Sequence, residues 1–305
     1  MAQSDVGPAL DRTSAARVLV LRRMVVLHRE LLRRDGEMRR GVPDAVHQTR
    51  VTCRRMRAAL ATFGSLLDHS VTAPVRAELR WTARSLGEAR DAEVAHLRLT
   101  RLVDEPDAGD VMAVRARLDR LFRARIESAD AAVAETISSA RYDDLLVRLG
   151  HLFDGEPWTP AARAEVGEVA PPLVRLDRSR MQRRVDRADS TPPGLEHDDA
   201  LHAVRRAAKR LRYACEALEP AYGEAAAGAV ESITRVTRLL GERQDTVISR
   251  RVLRGLAVAA ASDGESVAAY ERLEARERAR ADECEAAYEQ AWRDASAAQL
   301  WAWLS

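Results

Sequence analysis

The chain has 305 residues, 46% of them hydrophobic and 31% charged, with only 15 Gly and 11 Pro, a balance that excludes a disordered chain or a sheet-rich protein and suits long amphipathic helices. A formal net charge of +2 conceals segregation, with thirteen Arg against four acids between Arg12 and Arg57 and ten acids against five Arg between Asp263 and Asp294. Three cysteines without CxxC spacing, no signal-like start and no apolar run near the roughly 18 residues of a membrane span exclude a disulfide framework and a membrane protein, so a soluble chain of the cytoplasm is expected.

Residues 14–34 are predicted as the first amphipathic helix, broken near Gly36 and at Gly41-Val42-Pro43. Asp44 is placed to cap a second helix that carries His47 and runs to about residue 68. Ala73-Pro74 opens a long helix to about residue 103, a loop covers 104–110, and helices over 111–139 and 142–153 close a first half, residues 1–154. The linker, 155–172, begins Gly155-Glu156-Pro157 and is short enough that the halves must dock. In the second half, 173–305, helices are predicted over 173–188, from a cap at Asp198 or Asp199 to residue 222, over 224–261 and over 265–293. Trp292, Trp301 and Trp303 are expected to close one bundle end, and the acids over 271–289 to form a solvated face. Four long helices per half predict an all-α fold of two four-helix bundles.

Two stretches 155 positions apart share one arrangement: His47-x-x-Arg50-x-x-x-Arg54-Arg55-Met56-Arg57 and His202-x-x-Arg205-x-x-x-Lys209-Arg210-Leu211-Arg212. A second pair follows at an offset of 154, Leu86-Gly87-Glu88-Ala89-Arg90-Asp91 and Leu240-Gly241-Glu242-Arg243-Gln244-Asp245. Order and spacing are both kept, which argues for internal duplication and paired sites.

At about 100° per residue, His47, Arg50, Arg54 and Arg57 share a stripe roughly 80° wide, as do His202, Arg205, Lys209 and Arg212. Cys53, Met56 and Leu60 occupy another face, expected to pack inward, as do Ala208, Leu211 and Cys215 in the second copy. No acid lies inside either motif, so pairing within the helix leaves the stripe charged. Of the 49 basic residues 48 are Arg, whose planar fork grips phosphate or carboxylate. Arginines repeating each turn suit a linear polyanion; the alternative for any one of them is an ion pair with a neighbouring helix.

His47 and His202 read either as satisfied polar residues near a helix start or as groups that gain a proton beside bound phosphate. Neither has a His or carboxylate at i+4, so no metal site is expected. Arg84, Gly87, Glu88 and Asp91 fall on one helical face, as do Arg238, Gly241, Glu242 and Asp245. The glycines imply a close helix approach. Glu88, Asp91, Glu242 and Asp245 are expected to orient basic side chains, with Arg84 and Arg238 reaching the ligand.

Two motifs in order, each occurring twice, resemble the CHAD family, the conserved histidine α-helical domains, over residues 15–304. The resemblance implies two pseudo-symmetric bundles packed around a basic cavity or groove that binds inorganic polyphosphate, and targeting to polyphosphate granules. By motif position, the binding residues it implies are His47, Arg50, Arg54, Arg55 and Arg57, with His202, Arg205, Lys209, Arg210 and Arg212. Gln244 stands where the first copy has Arg90 and breaks the repeat there. Some family members carry a triphosphate-tunnel enzyme domain; its Glu-x-Glu-x-Lys signature does not occur here, and that domain is not expected. The expected function is non-catalytic polyphosphate binding with no cofactor, no metal and no membrane partner. The alternatives are a phosphohydrolase or phosphotransferase, for which no P-loop, Asp-rich cluster or HExxH is found, and non-specific nucleic-acid binding, disfavoured by 4% aromatics and no stacking residue in either stripe.

Overall fold

A computed structural model describes residues 10–105 and 111–305, with 88–90 described by backbone alone. The fold is all-α. Its helices are α1 (Ala16–Arg39), α2 (Ala45–Thr62), α3 (His69–Ser85), α4 (Gly87–Val103), α5 (Met112–Ile137), α6 (Ala140–Gly150), α7 (Val166–Asp189), α8 (Leu195–Tyr222), α9 (Glu224–Ser262) and α10 (Ala268–Ser296). None of these helices is long and apolar enough to cross a membrane.

Several boundaries differ from the sequence expectation for identifiable reasons. α1 continues through Gly36 because Arg33 and Arg34 each bond to both Glu30 and Glu37, a ladder of i,i+3 and i,i+4 pairs that spans the weak point. It stops before Gly41, whose φ of 67° is left-handed. Asp44 is itself left-handed and does not cap α2 through its side chain. α2 ends at Thr62 and a 3-10 turn follows, so the helix is nearly two turns shorter than predicted. Asp68 caps α3 instead, accepting from Ser70 N–H at 2.8 Å. α7 begins at Val166, inside the stretch assigned to the linker, and takes Pro171 and Pro172 into its second turn. α8 starts after Gly194; Asp198 lies inside it, paired with Arg243 at 2.8 Å.

One large apolar core draws on α1, α2, α3, α6, α7, α8, the first half of α9 and the end of α10, closed by Trp301 and Leu304. Trp301 Nε1–H donates to Ala295 O at 2.7 Å. A smaller core, built from Leu99, Leu118, Phe122, Leu253, Tyr270 and Leu273, joins α4 and α5 to the far ends of α9 and α10. Both cores therefore contain residues from either side of the linker. Backbone hydrogen bonds from Asp68 N–H to Pro157 O, Thr159 N–H to Leu66 O and Val166 N–H to Ser14 O knit the linker onto the first half. Helices α2 and α8, which carry the two His-led motifs, pack against one another.

The long helix expected over residues 74–103 is divided at Leu86 into α3 and α4, whereas α9 crosses the matching point at Leu240 unbroken. The acidic face of α10 is also not wholly solvated. Glu277 is fully buried and takes a bidentate bond from Arg98 at 2.9 and 3.1 Å, while Glu285 bonds His197 and Arg243, each at 2.6 Å.

Candidate basic cleft between the two His-led helices

Inward packing of Cys53, Met56 and Leu60 from α2, and of Ala208, Leu211 and Cys215 from α8, fixes the rotation of both helices. That rotation turns His47, Arg50 and Arg54 toward His202, Arg205 and Lys209. They meet in a cleft of about 360 Å³, completed by Asp91, Val94, Ala95 and Arg98 of α4 and by Gln244, Asp245 and Ile248 of α9. Among the described residues, five cationic side chains and two carboxylates line it.

The glycines of the second motif make room for arginine rather than for another helix. Arg50 donates from Nη1 to Gly87 O at 3.0 Å and to Asp91 Oδ1 at 3.1 Å. A Cβ at Gly241 would meet Arg205 Nη2 at 3.2 Å and Nε at 3.3 Å; one at Gly87 would meet Arg50 Nη2 at 3.5 Å. Each guanidinium thus lies flat over a glycine, near the carboxylate four residues on. The Nε atoms of Arg50, Arg54 and Arg205 are buried with no hydrogen-bond partner among the described residues.

Crowded cations oppose one another here. Burial lowers the Arg205 pKa, with Arg54 adding to the effect and Asp245 opposing it. Lys209 is pushed down from 10.5 to about 7, by burial first and then by Arg205, Arg54 and Arg212. Burial also raises Asp245 despite Arg205, Arg98 and Lys209 nearby. His202 Nδ1 lies 3.0 Å from Gln244 Oε1, and burial lowers the histidine's pKa. Gln244, the position at which the sequence repeat is broken, therefore orients a histidine. These groups offer hydrogen-bond donors and positive charge in a half-sheltered space, which is what recognition of phosphate oxygens requires. No cluster of three or more His, Cys, Asp or Glu suited to a metal occurs among the described residues. Cys53 and Cys215 lie in the core, where burial raises both thiols, Cys53 to about 12.

The remaining predicted residues lie elsewhere. Arg55 and Arg212 converge with Arg23 on Glu216, at 3.4, 3.3 and 2.9 Å, and both lie over the Tyr213 ring. The acid they share sits one turn past the second motif and serves both copies. Arg210 donates to Asp177 Oδ2 at 3.0 Å and to Ala61 O at 2.9 Å. Arg57 turns from the cleft toward Arg76, Arg80 and Arg84 of α3, since the division at Leu86 separates Arg84 from the α4 face that lines the cleft. Arg238 lines a separate hollow with Arg235 and Asp294; it shares Asp245's face but lies about 10 Å away along the α9 axis. Glu242 turns toward α10 and accepts from Cys284 Sγ at 3.9 Å. The Glu88 side chain lies outside the described residues. Arg98 was missed, although it stands on the Asp91 face two turns on; that spacing is its only sequence signal.

The chain is similar to several known proteins. The chain is 34% identical over 273 residues to two uncharacterized proteins of Mycobacterium tuberculosis, MT2285 of strain CDC 1551 and Rv2226 of strain H37Rv; the match takes in 87% of this chain and 50% of each of them. The chain thus spans about half the length of those curated relatives. Its fold is similar to PptA from Streptomyces chartreusis, with a TM-score of 0.71 and 23% identity over 92% of this chain and 100% of that one. It is also similar to the crystal structure of the CHAD domain from the plant Ricinus communis, with a TM-score of 0.70 and 22% identity over 94% of both chains. The CHAD domain family model matches residues 26–254, a span that includes α2, α8 and every residue lining the cleft, and the chain belongs to the CHAD domain family.

Proposed function

We propose that the protein binds inorganic polyphosphate without catalysis, in the cleft between α2 and α8, and that this attachment holds it on polyphosphate granules in the cytoplasm. The carrying observation is the convergence of Arg50, Arg54, Arg205 and Lys209 from α2 and α8 on one space where the described residues place two carboxylates, Asp91 and Asp245; Arg98 also lines it but is paired with Glu277. A guanidinium cluster of that kind is most relieved by a ligand of high linear charge density. No aromatic side chain lines the cleft among the described residues, which favours polyphosphate over single-stranded nucleic acid held by base stacking.

The test is calorimetric titration with long-chain polyphosphate at two salt concentrations, on the wild type and on Arg50→Ala/Arg54→Ala/Arg205→Ala/Lys209→Ala. Wild-type affinity should fall with salt, and the folded variant should lose affinity with a log–log slope shallower by about 0.7 per lost phosphate contact. An unchanged slope in the folded variant would return these side chains to a structural role. Phosphate release should stay at background in the same samples; release that depends on Lys209 would establish an enzyme instead.

A further inference from the structure

A second hollow, of about 910 Å³, opens between α3, α7 and α8 and is lined by Arg80, Arg180, Arg183, Arg184, Arg206 and Arg210. Asp177 is the one carboxylate lining it among the described residues, and it is already engaged. Only 2% exposed, it accepts from Thr62 Oγ1 at 2.6 Å, Arg180 Nη1 at 2.7 Å and Arg210 Nε at 3.0 Å. Arg80, Arg183, Arg184 and Arg206 present exposed side chains to the groove.

The charge pattern continues beyond this lining. Arg76, Arg80 and Arg84 recur every four residues on α3, about 6 Å apart along its axis. Burial lowers the Arg57 pKa, and the charges of Arg80, Arg76 and Arg84 lower it further. Arg76 is lowered by burial, then by Arg210 and Arg80. Guanidinium groups stay protonated at neutral pH, so the crowding is a repulsion that an anion relieves. α1 manages its arginines differently, bonding Arg33 and Arg34 to Glu30 and Glu37. On α7, by contrast, the acid nearest in sequence to Arg183 and Arg184 on their C-terminal side, Asp186, is bonded to Gln182.

Groove and cleft adjoin along α8. Arg57 ends the α2 stripe whose Arg50 and Arg54 line the cleft, and Arg206 acts electrostatically on His202. Helix α8 offers His202, Arg205 and Lys209 to one space and Arg206 and Arg210 to the other, on faces about a quarter of a turn apart.

We infer that the groove between α3, α7 and α8 is a second phosphate-binding segment that takes the continuation of a polyphosphate chain held in the cleft, and so makes the protein select long chains. This rests on the cleft being the polyphosphate site. Tripolyphosphate occupies the cleft alone, whereas a long chain engages both surfaces.

The test compares wild type, the cleft variant above and the groove variant Arg80→Gln/Arg183→Gln/Arg184→Gln/Arg206→Gln. The last replaces four exposed side chains and leaves the Asp177 pairs intact. Each is titrated with tripolyphosphate, long-chain polyphosphate and single-stranded DNA at equal phosphate. The groove variant should bind tripolyphosphate within about twofold of wild type but long chains at least about tenfold more weakly, with a shallower salt slope; the cleft variant should lose both ligands. Unchanged long-chain affinity in a folded groove variant overturns the inference and leaves the cleft reading standing. Long-chain binding kept by the cleft variant overturns the cleft reading itself. A groove variant that loses DNA but not polyphosphate assigns the groove to nucleic acid and also overturns the inference.

Discussion

Lys209, the single lysine of the chain, sits among Arg54, Arg205 and Arg212 with a pKa brought from 10.5 to about 7. A base whose folded pKa is depressed binds fewer protons folded than unfolded, so this group makes stability rise with pH between about 7 and 10.5, and its cost is fully present below about 7. Bound phosphate reverses the balance by favouring the ammonium. Binding of polyphosphate at about pH 8 is therefore expected to take up protons, detectable as a dependence of calorimetric heat on the ionisation enthalpy of the buffer. Lys209→Arg should abolish most of that uptake while keeping affinity, since guanidinium does not titrate in this range. His202, whose pKa burial also lowers, should add uptake at lower pH than Lys209 does. A wild-type protein that binds without uptake would place Lys209 out of contact with the ligand.

Among the elements, α9 shows how backbone composition serves the cleft. Gly241 lies in the middle of this helix, where glycine costs up to about 1 kcal/mol relative to alanine, and the space it leaves is filled by the Arg205 guanidinium. Gly241→Ala should leave thermal stability equal or slightly higher while weakening polyphosphate binding, because the guanidinium must shift by a few tenths of an ångström or more. Gly87→Ala should do less, since its Cβ would meet Arg50 only at ordinary contact distance. A Gly241→Ala protein with wild-type affinity would show that Arg205 can bind from a displaced position. The sequence flagged both glycines through the repeat but misread what approaches them, because a glycine reports room and not its occupant. The same limit explains Asp44 and Asp198: each is a plausible cap by spacing, but one sits in a left-handed turn and the other faces Arg243.

Over the whole molecule, the main core crosses the linker, and Asp177 reinforces that crossing by joining α7 to Thr62 of α2 and Arg210 of α8. Unfolding in urea is accordingly expected as one cooperative transition, coincident by far-UV circular dichroism and tryptophan fluorescence. Asp177→Ala should lower stability by about 1–3 kcal/mol, because buried Thr62 loses its hydrogen-bond partner and the half-exposed Arg180 and Arg210 lose their shared carboxylate. Two separated transitions would mean that the halves hold together only weakly. The helical class, the His-led helices and the three basic positions each contributes to the cleft were all legible in the sequence, because helical periodicity and an exact spacing of repeats are local properties of a chain. Which arginines remained available to a ligand was not. Glu216 is shared by Arg23, Arg55 and Arg212, Asp177 holds Arg210, and Glu277 holds Arg98, all but the Arg212 contact across different helices. Charge pairing depends on distances of a few ångströms between segments remote in sequence, and only the packing of the helices sets those distances.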